Sequence, residues 1–178
     1  LANGVDVSKI HSVASFFVSR VDTEVDKRLE AVGRADLKSR AALANARLAY
    51  ELYDAQFSSP RWAELAAKGA RIQRPLMAST GVKDPNLPDT LYVTELVAAD
   101  VVNTMPEKTM MATADHGEIA GNSIVPNIAG AKETMAELAA AGINFAEVTK
   151  LLESEGVQKF IDSWQELVDS VSQALDNA

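Results

Sequence analysis

Apolar positions fall into two patterns along the chain, and their alternation predicts the fold class. Ile10 to Val21 (IHSVASFFVSRV) is a short apolar, β-branched and aromatic run without clean alternation, as expected of a parallel strand covered on both faces. Behind it, Asp22 is placed to cap a helix in which Val25, Leu29 and Val32 recur at helical spacing until Gly33 stops it. Asp36 to Phe57 predicts a long alanine-rich helix, with Leu37, Ala41, Ala44, Leu48 and Leu52 on one stripe whose small residues imply close packing. Ser59-Pro60 is an N-cap followed by a first-turn proline, and Gly69 ends that short helix after Trp62, Leu65 and Ala66.

A second strand is predicted at Pro75 to Ser79, giving way at Thr80-Gly81 to a loop, Val82 to Pro88, that holds two prolines. Asp89 is the expected cap of a helix through Leu91, Tyr92 and Leu96; Val101 to Met105 is the third strand, and Pro106 opens the next helix. Asp115 to Ala129 has no regular period and is read as a connector. The remainder predicts three helices: Ala131 to Ala141 stopped by Gly142, Phe145 to Glu155 stopped by Gly156, and Val157 to about Asp176 with a Phe160, Trp164, Leu167, Val171 stripe.

Strands separated by helices predict an α/β chain with parallel strands and right-handed crossovers. Three parallel strands alone leave both sheet edges unpaired, a problem that a closed barrel removes. A (β/α)8 barrel has about 250 residues, so the pattern fits the C-terminal portion of a TIM barrel plus C-terminal helices. The expected organisation is one partial barrel domain over residues 1–178, with 131–178 as a helical extension packed on it. The 178 residues agree with one domain at roughly 150 residues each.

Composition narrows the function. Hydrophobic residues at 47% and charged residues at 24% exclude a disordered or collagen-like chain. With 17 basic against 25 acidic residues and a formal charge of −8, nucleic acid is not an expected partner. The absence of cysteine rules out disulfides, zinc ribbons and a thiol nucleophile. No apolar run reaches membrane-span length and no secretory leader is evident at LANGVDVSK, so the expectation is a cytoplasmic protein with no membrane partner. Leu1 stands where a gene would begin with Met, which suggests that the sequence starts inside a longer one.

In α/β folds chemistry collects where parallel strands end. Arg20 closes the first predicted strand; its planar donors suit a carboxylate or phosphate, and an ion pair with Asp22 or Asp26 is the equally weighted alternative. Ser79-Thr80-Gly81 can aim hydroxyls and backbone donors at an anion, or be an ordinary strand-to-loop turn. Lys83 follows in a polar loop that offers none of the desolvation a Schiff-base lysine needs, and it reads as a solvated lysine or a secondary phosphate contact. Asn103-Thr104 reads as capping for the helix at Pro106. His11 and His116 lack metal-ligand spacing, and neither a dinucleotide nor a P-loop signature is present, so no metal or cofactor is expected.

The run Ser15 to Asp22 (SFFVSRVD), with Ala42 to Tyr50 (ALANARLAY), Gln73 to Pro85 (QRPLMASTGVKDP) and Thr90 to Glu107 (TLYVTELVAADVVNTMPE), resembles transaldolase, nearest to the long bacterial type of actinobacteria, from about Lys9 to the C-terminal helix. The resemblance implies a (β/α)8 barrel in which the three predicted strands are about strands 6 to 8, and a pentose phosphate pathway transferase that moves a dihydroxyacetone unit between sugar phosphates through a lysine Schiff base. The expected partners are therefore fructose 6-phosphate, sedoheptulose 7-phosphate, erythrose 4-phosphate and glyceraldehyde 3-phosphate. It implies that Arg20 and Ser79 grip the substrate phosphate and that Ser15 lines the pocket, with Thr80 and Lys83 as further lining.

The family's Ile-Lys-x-Pro-x-Thr-like strand is absent, so no catalytic residue is expected in this chain; the Schiff-base lysine belongs upstream, in a missing N-terminal half of the barrel. Met77 stands where relatives are expected to carry an aromatic, which would alter the pocket wall. Alone the chain is expected to be inactive. The alternatives are an inactive barrel fragment or helical interaction module, and another lysine-dependent or phosphate-binding barrel enzyme such as an aldolase.

Overall fold

A computed structural model describes residues 4–177. Its centre is a three-stranded parallel sheet in the order β1-β2-β3, with β1 at Ser12–Phe17, β2 at Gln73–Ala78 and β3 at Val102–Asn103. Register runs from Ser12 beside Gln73 to Phe17 beside Ala78, then Leu76 beside Val102. The α/β class and the parallel strands expected from the pattern are present, yet β1 is not covered on both faces. Val13 is 47% exposed and Phe17 38%, because an edge strand has a neighbour on one side only.

The strand is also shorter than the apolar run. Val18 and Ser19 turn their N–H groups to the carbonyls of Ala78 and Ser79, at 2.9 and 3.0 Å, and helix α1 (Ser19–Ala31) begins there. Asp22 therefore lies inside the first turn instead of capping it. Gly33, at φ 70°, ends α1 as expected, since a left-handed residue stops helical hydrogen bonding cheaply only when it lacks a Cβ.

The helix expected from Asp36 starts later. A short 3-10 turn at Ala35–Leu37 and Ser39 at φ 60° precede α2 (Ala41–Phe57), whose own N-cap position, Arg40, offers no side-chain cap. Asp22 supplies it instead: its Oδ1 accepts the Ala42 N–H at 2.8 Å, so the cap crosses from one helix to the next. Ala44 and Ala46 on α2 are buried, and α2 packs extensively on α6 (Ile128–Ala140) through such small residues, with Ala131 and Leu138 buried opposite. On the sheet side, α2 and the strands border an open groove of about 370 Å³ lined by Phe16, Leu52, Tyr53, Phe57 and Met77.

Helix α3 (Pro60–Ala66) is capped by Ser59 as expected, its Oγ accepting from Trp62 N at 3.2 Å. Helix α4 is only Leu91–Thr94, without a cap from Asp89, which bonds His116 instead. Helix α5 (Glu107–His116) follows Pro106, so the irregular connector begins later than Asp115, and a 3-10 turn at Val125–Asn127 leads into α6 ahead of Ala131. Gly142, at φ 86°, stops α6.

From Asn144 onward the chain forms a second compact unit, the single helix α7 (Phe145–Asp176), whereas the first unit runs through Ile143. Gly156 does not break α7: a glycine keeps its N–H and costs a helix interior only about 1 kcal/mol against alanine, which a 32-residue helix absorbs. Asn144 caps α7, accepting from Glu147 N while its Nδ2 donates to Glu147 Oε1 at 2.9 Å. Among the described residues no helix is long and apolar enough to cross a membrane.

Candidate functional site

The C-terminal ends of the three strands are stitched together by Ser79, Thr80 and Thr104, which the sequence singles out, and by Ser19, which it does not. Beyond β2, Ser79 adopts φ 55°, a left-handed conformation costly for a residue with a Cβ. The turn is held from both sides. Ser19 N–H donates to the Ser79 carbonyl and the two hydroxyl oxygens lie 2.9 Å apart, while Thr80, fully buried, donates its hydroxyl to Thr104 O at 2.9 Å. Thr104 N–H in turn reaches Met77 O at 2.8 Å. Gly81 passes so close to Pro106 that an added Cβ would sit 3.2 Å from its ring, which favours glycine there.

Arg20, in the first turn of α1, places its guanidinium carbon 4.2 Å from the centroid of the Phe17 ring, a cation–π contact, and among the described residues no carboxylate pairs with its N–H fork. Of the two sequence readings, the ion pair is not formed. Asp22 accepts from Ala42 N at 2.8 Å and from Tyr92 OH at 2.6 Å, and Asp26 accepts from Ser39 N and Oγ at 2.8 and 3.2 Å, so both carboxylates are engaged elsewhere.

Ser15 lies on exposed β1 at the rim of the sheet–α2 groove; by strand alternation its side chain stands on the face opposite Ala14 and Phe16. Met77 lies on the α2 side, fully buried, and lines the sheet–α2 groove. Lys83 is exposed and borders a cavity of about 100 Å³ shared with Ser19, Asp22, Asp26, Asp84, Leu87 and Tyr92, a setting with three carboxylates.

Electrostatics at this end of the sheet are dominated by Asp22. Burial pushes its carboxyl up to about 6, against the opposing pull of the Tyr92 and Ala42 hydrogen bonds. Burial, then the charge of Asp22, raises the Tyr92 hydroxyl as well. Burial also raises Asp26, partly offset by Ser39. Asp22 was legible in the sequence as a cap, but its partners, 20 and 70 residues away, were not.

Asn103 does not cap the helix after Pro106. Its Nδ2 donates to Tyr92 O at 3.0 Å, and its Oδ1 is buried with no partner among the described residues. His116 sits on the surface between Asp89 and Asp115, at 2.9 and 3.1 Å, and these carboxylates raise its imidazole. Among the described residues no group of His, Asp or Glu side chains is arranged to hold a metal ion.

Hydroxyls and a guanidinium, donor types that suit an anion, thus stand just past the C-terminal ends of β1 and β2. Among known proteins, residues 2–171 match the family model described as Transaldolase/Fructose-6-phosphate aldolase. A transaldolase from Renibacterium salmoninarum is 60% identical over 99% of this chain and 48% of its own length. One from Mycolicibacterium smegmatis is 60% identical over 98% of the chain and 48% of its own, and one from Thermobifida fusca 57% over 97% and 48%. The chain thus spans about half the length of the curated relatives it matches.

Proposed function

The chain belongs to the transaldolase/fructose-6-phosphate aldolase family, and from that premise we propose that it supplies the phosphate-binding part of a cytoplasmic transaldolase. In this reading β1, β2 and β3 are the sixth to eighth strands of a (β/α)8 barrel. The remaining half of the barrel brings the Schiff-base lysine, and together they transfer a dihydroxyacetone unit among fructose 6-phosphate, sedoheptulose 7-phosphate, erythrose 4-phosphate and glyceraldehyde 3-phosphate. The observation that carries the proposal is the junction of β1, α1 and β2: Ser79, held left-handed against Ser19 at 2.9 Å, with Arg20, the residue after Ser19, taken up by no carboxylate among the described residues.

The roles follow from the donor types. Arg20 offers two coplanar N–H groups, a match for two phosphate oxygens, and Ser79 offers one hydroxyl. Holding the phosphate fixes the distal end of the sugar, so that its carbonyl meets the nucleophile in a repeated orientation. The exposed face and edge of β1 agree with a strand that expects a neighbour.

The test is borohydride reduction in the presence of radiolabelled fructose 6-phosphate, on this chain and on the complete gene product, followed by peptide mapping. Label in the complete product at a lysine outside these residues, and none on this chain alone, is the expected result. Label on any lysine from Lys9 to Lys159 overturns the assignment.

A further inference from the structure

We infer that Ser19 is a positioning residue for the anion site, orienting the Ser79 hydroxyl toward the substrate phosphate. The inference rests on the function proposed above. Ser19 is 3% exposed, in the first turn of α1 and immediately before Arg20. It meets Ser79 twice: backbone N–H to carbonyl oxygen at 3.0 Å, and hydroxyl to hydroxyl at 2.9 Å. Its own carbonyl accepts from Thr23 Oγ1 at 2.9 Å, which anchors it within the helix.

The chemistry of a serine pair gives this contact a direction. Each hydroxyl has one proton and two lone pairs. When the Ser79 O–H donates to an anion, its oxygen can still receive the Ser19 O–H, and the two bonds polarise one another toward the negative charge. Among the described residues the Ser19 hydroxyl meets Ser79 Oγ and no carboxylate, while the Asp22 oxygens accept from Ala42 N and Tyr92 OH. Ser79 cannot drift to another position either, because its left-handed backbone is bracketed by Ser19 on one side and the Thr80–Thr104 bond on the other. Ser19 thus sets the rotor and lends it polarity without touching the substrate.

Ser19→Ala removes the hydroxyl contact alone, because the backbone bond to Ser79 persists. In the complete gene product, with saturating fructose 6-phosphate, KM for erythrose 4-phosphate should rise about tenfold, with kcat and the reaction with unphosphorylated erythrose held within about twofold. Competitive inhibition by inorganic phosphate should weaken by about the same factor, and Ser19→Cys, with its weak S–H donor, should fall between. If Ser19→Ala does not fold, Ser19→Cys alone must still raise KM for the phosphorylated acceptor selectively. Equal losses with both acceptors, or an unchanged KM, overturn the inference while leaving the proposed function standing. A wild-type enzyme indifferent to the acceptor phosphate overturns both.

Discussion

Replacing Asp22 by asparagine isolates the charge of the buried carboxyl from its connections. The asparagine Oδ1 can still accept the Ala42 N–H, and its amide can donate to the Tyr92 oxygen in place of accepting from it. The native carboxyl stands at about 6 against an ordinary 3.8, with burial as the leading cause. A raised carboxyl favours the folded state fully below the unfolded value, and that contribution is lost as pH climbs through the folded one. The shift of about two units corresponds to roughly 3 kcal/mol at 1.36 kcal/mol per unit.

Urea unfolding followed by circular dichroism, for wild type and Asp22→Asn across about pH 4 to about pH 8, reads this directly because titrations elsewhere cancel in the difference. The two proteins should have similar stability near the acid end. The asparagine variant should then gain on the wild type by up to about 3 kcal/mol at the neutral end. Asp22→Ala, which also uncaps α2 and strands the Tyr92 hydroxyl, should lie about 1–3 kcal/mol below Asp22→Asn at every pH, since neither variant carries the titrating carboxyl. A wild type that gains stability over Asp22→Asn as pH rises, or a difference flat across the window, refutes the assignment of burial as the dominant effect.

Thr80→Val keeps the shape of a fully buried side chain and deletes its bond to Thr104 O; denaturant titration should show a loss of about 1–3 kcal/mol from the orphaned carbonyl. Gly33→Ala forces a Cβ into φ 70° with nothing within 4 Å to meet it, so a drop of about 1 kcal/mol in unfolding free energy should come from backbone strain alone, and Gly33→Asn should recover part of it. Arg20→Lys in the complete gene product should raise KM for phosphorylated substrates about tenfold or more while leaving kcat nearly unchanged, since a point charge cannot replace a fork of donors; steady-state kinetics with both acceptor types check it.

Much of the candidate site could be read from the chain because strand ends and hydroxyls are local features. Arg20, Ser79 and Thr80 stand where an apolar run stops, and each falls just past the C-terminal end of a strand in the structure. What could not be read was who meets whom. Ser19 lay inside the predicted strand and carried no signal of its own, yet it is the residue that touches Ser79, 60 positions away. Asn103 looked like a cap, and its amide goes instead to the backbone of Tyr92. A cap motif tells which residue has a spare oxygen, whereas the partner depends on which helix start the fold brings near.

The sequence by itself determined the alternation of strands and helices, the parallel class that follows from it, the stops at Gly33 and Gly142, and four segments resembling one enzyme family, because periodicity and turn chemistry act over a few residues. Only the tertiary structure decided that β1 is an exposed edge, that α2 takes its cap from Asp22, that the Asp22 carboxyl rises to about 6, and that Ser79 is held left-handed by Ser19. Each of these depends on burial or on a bond between distant positions, and both arise when the strands pair and the helices close over them.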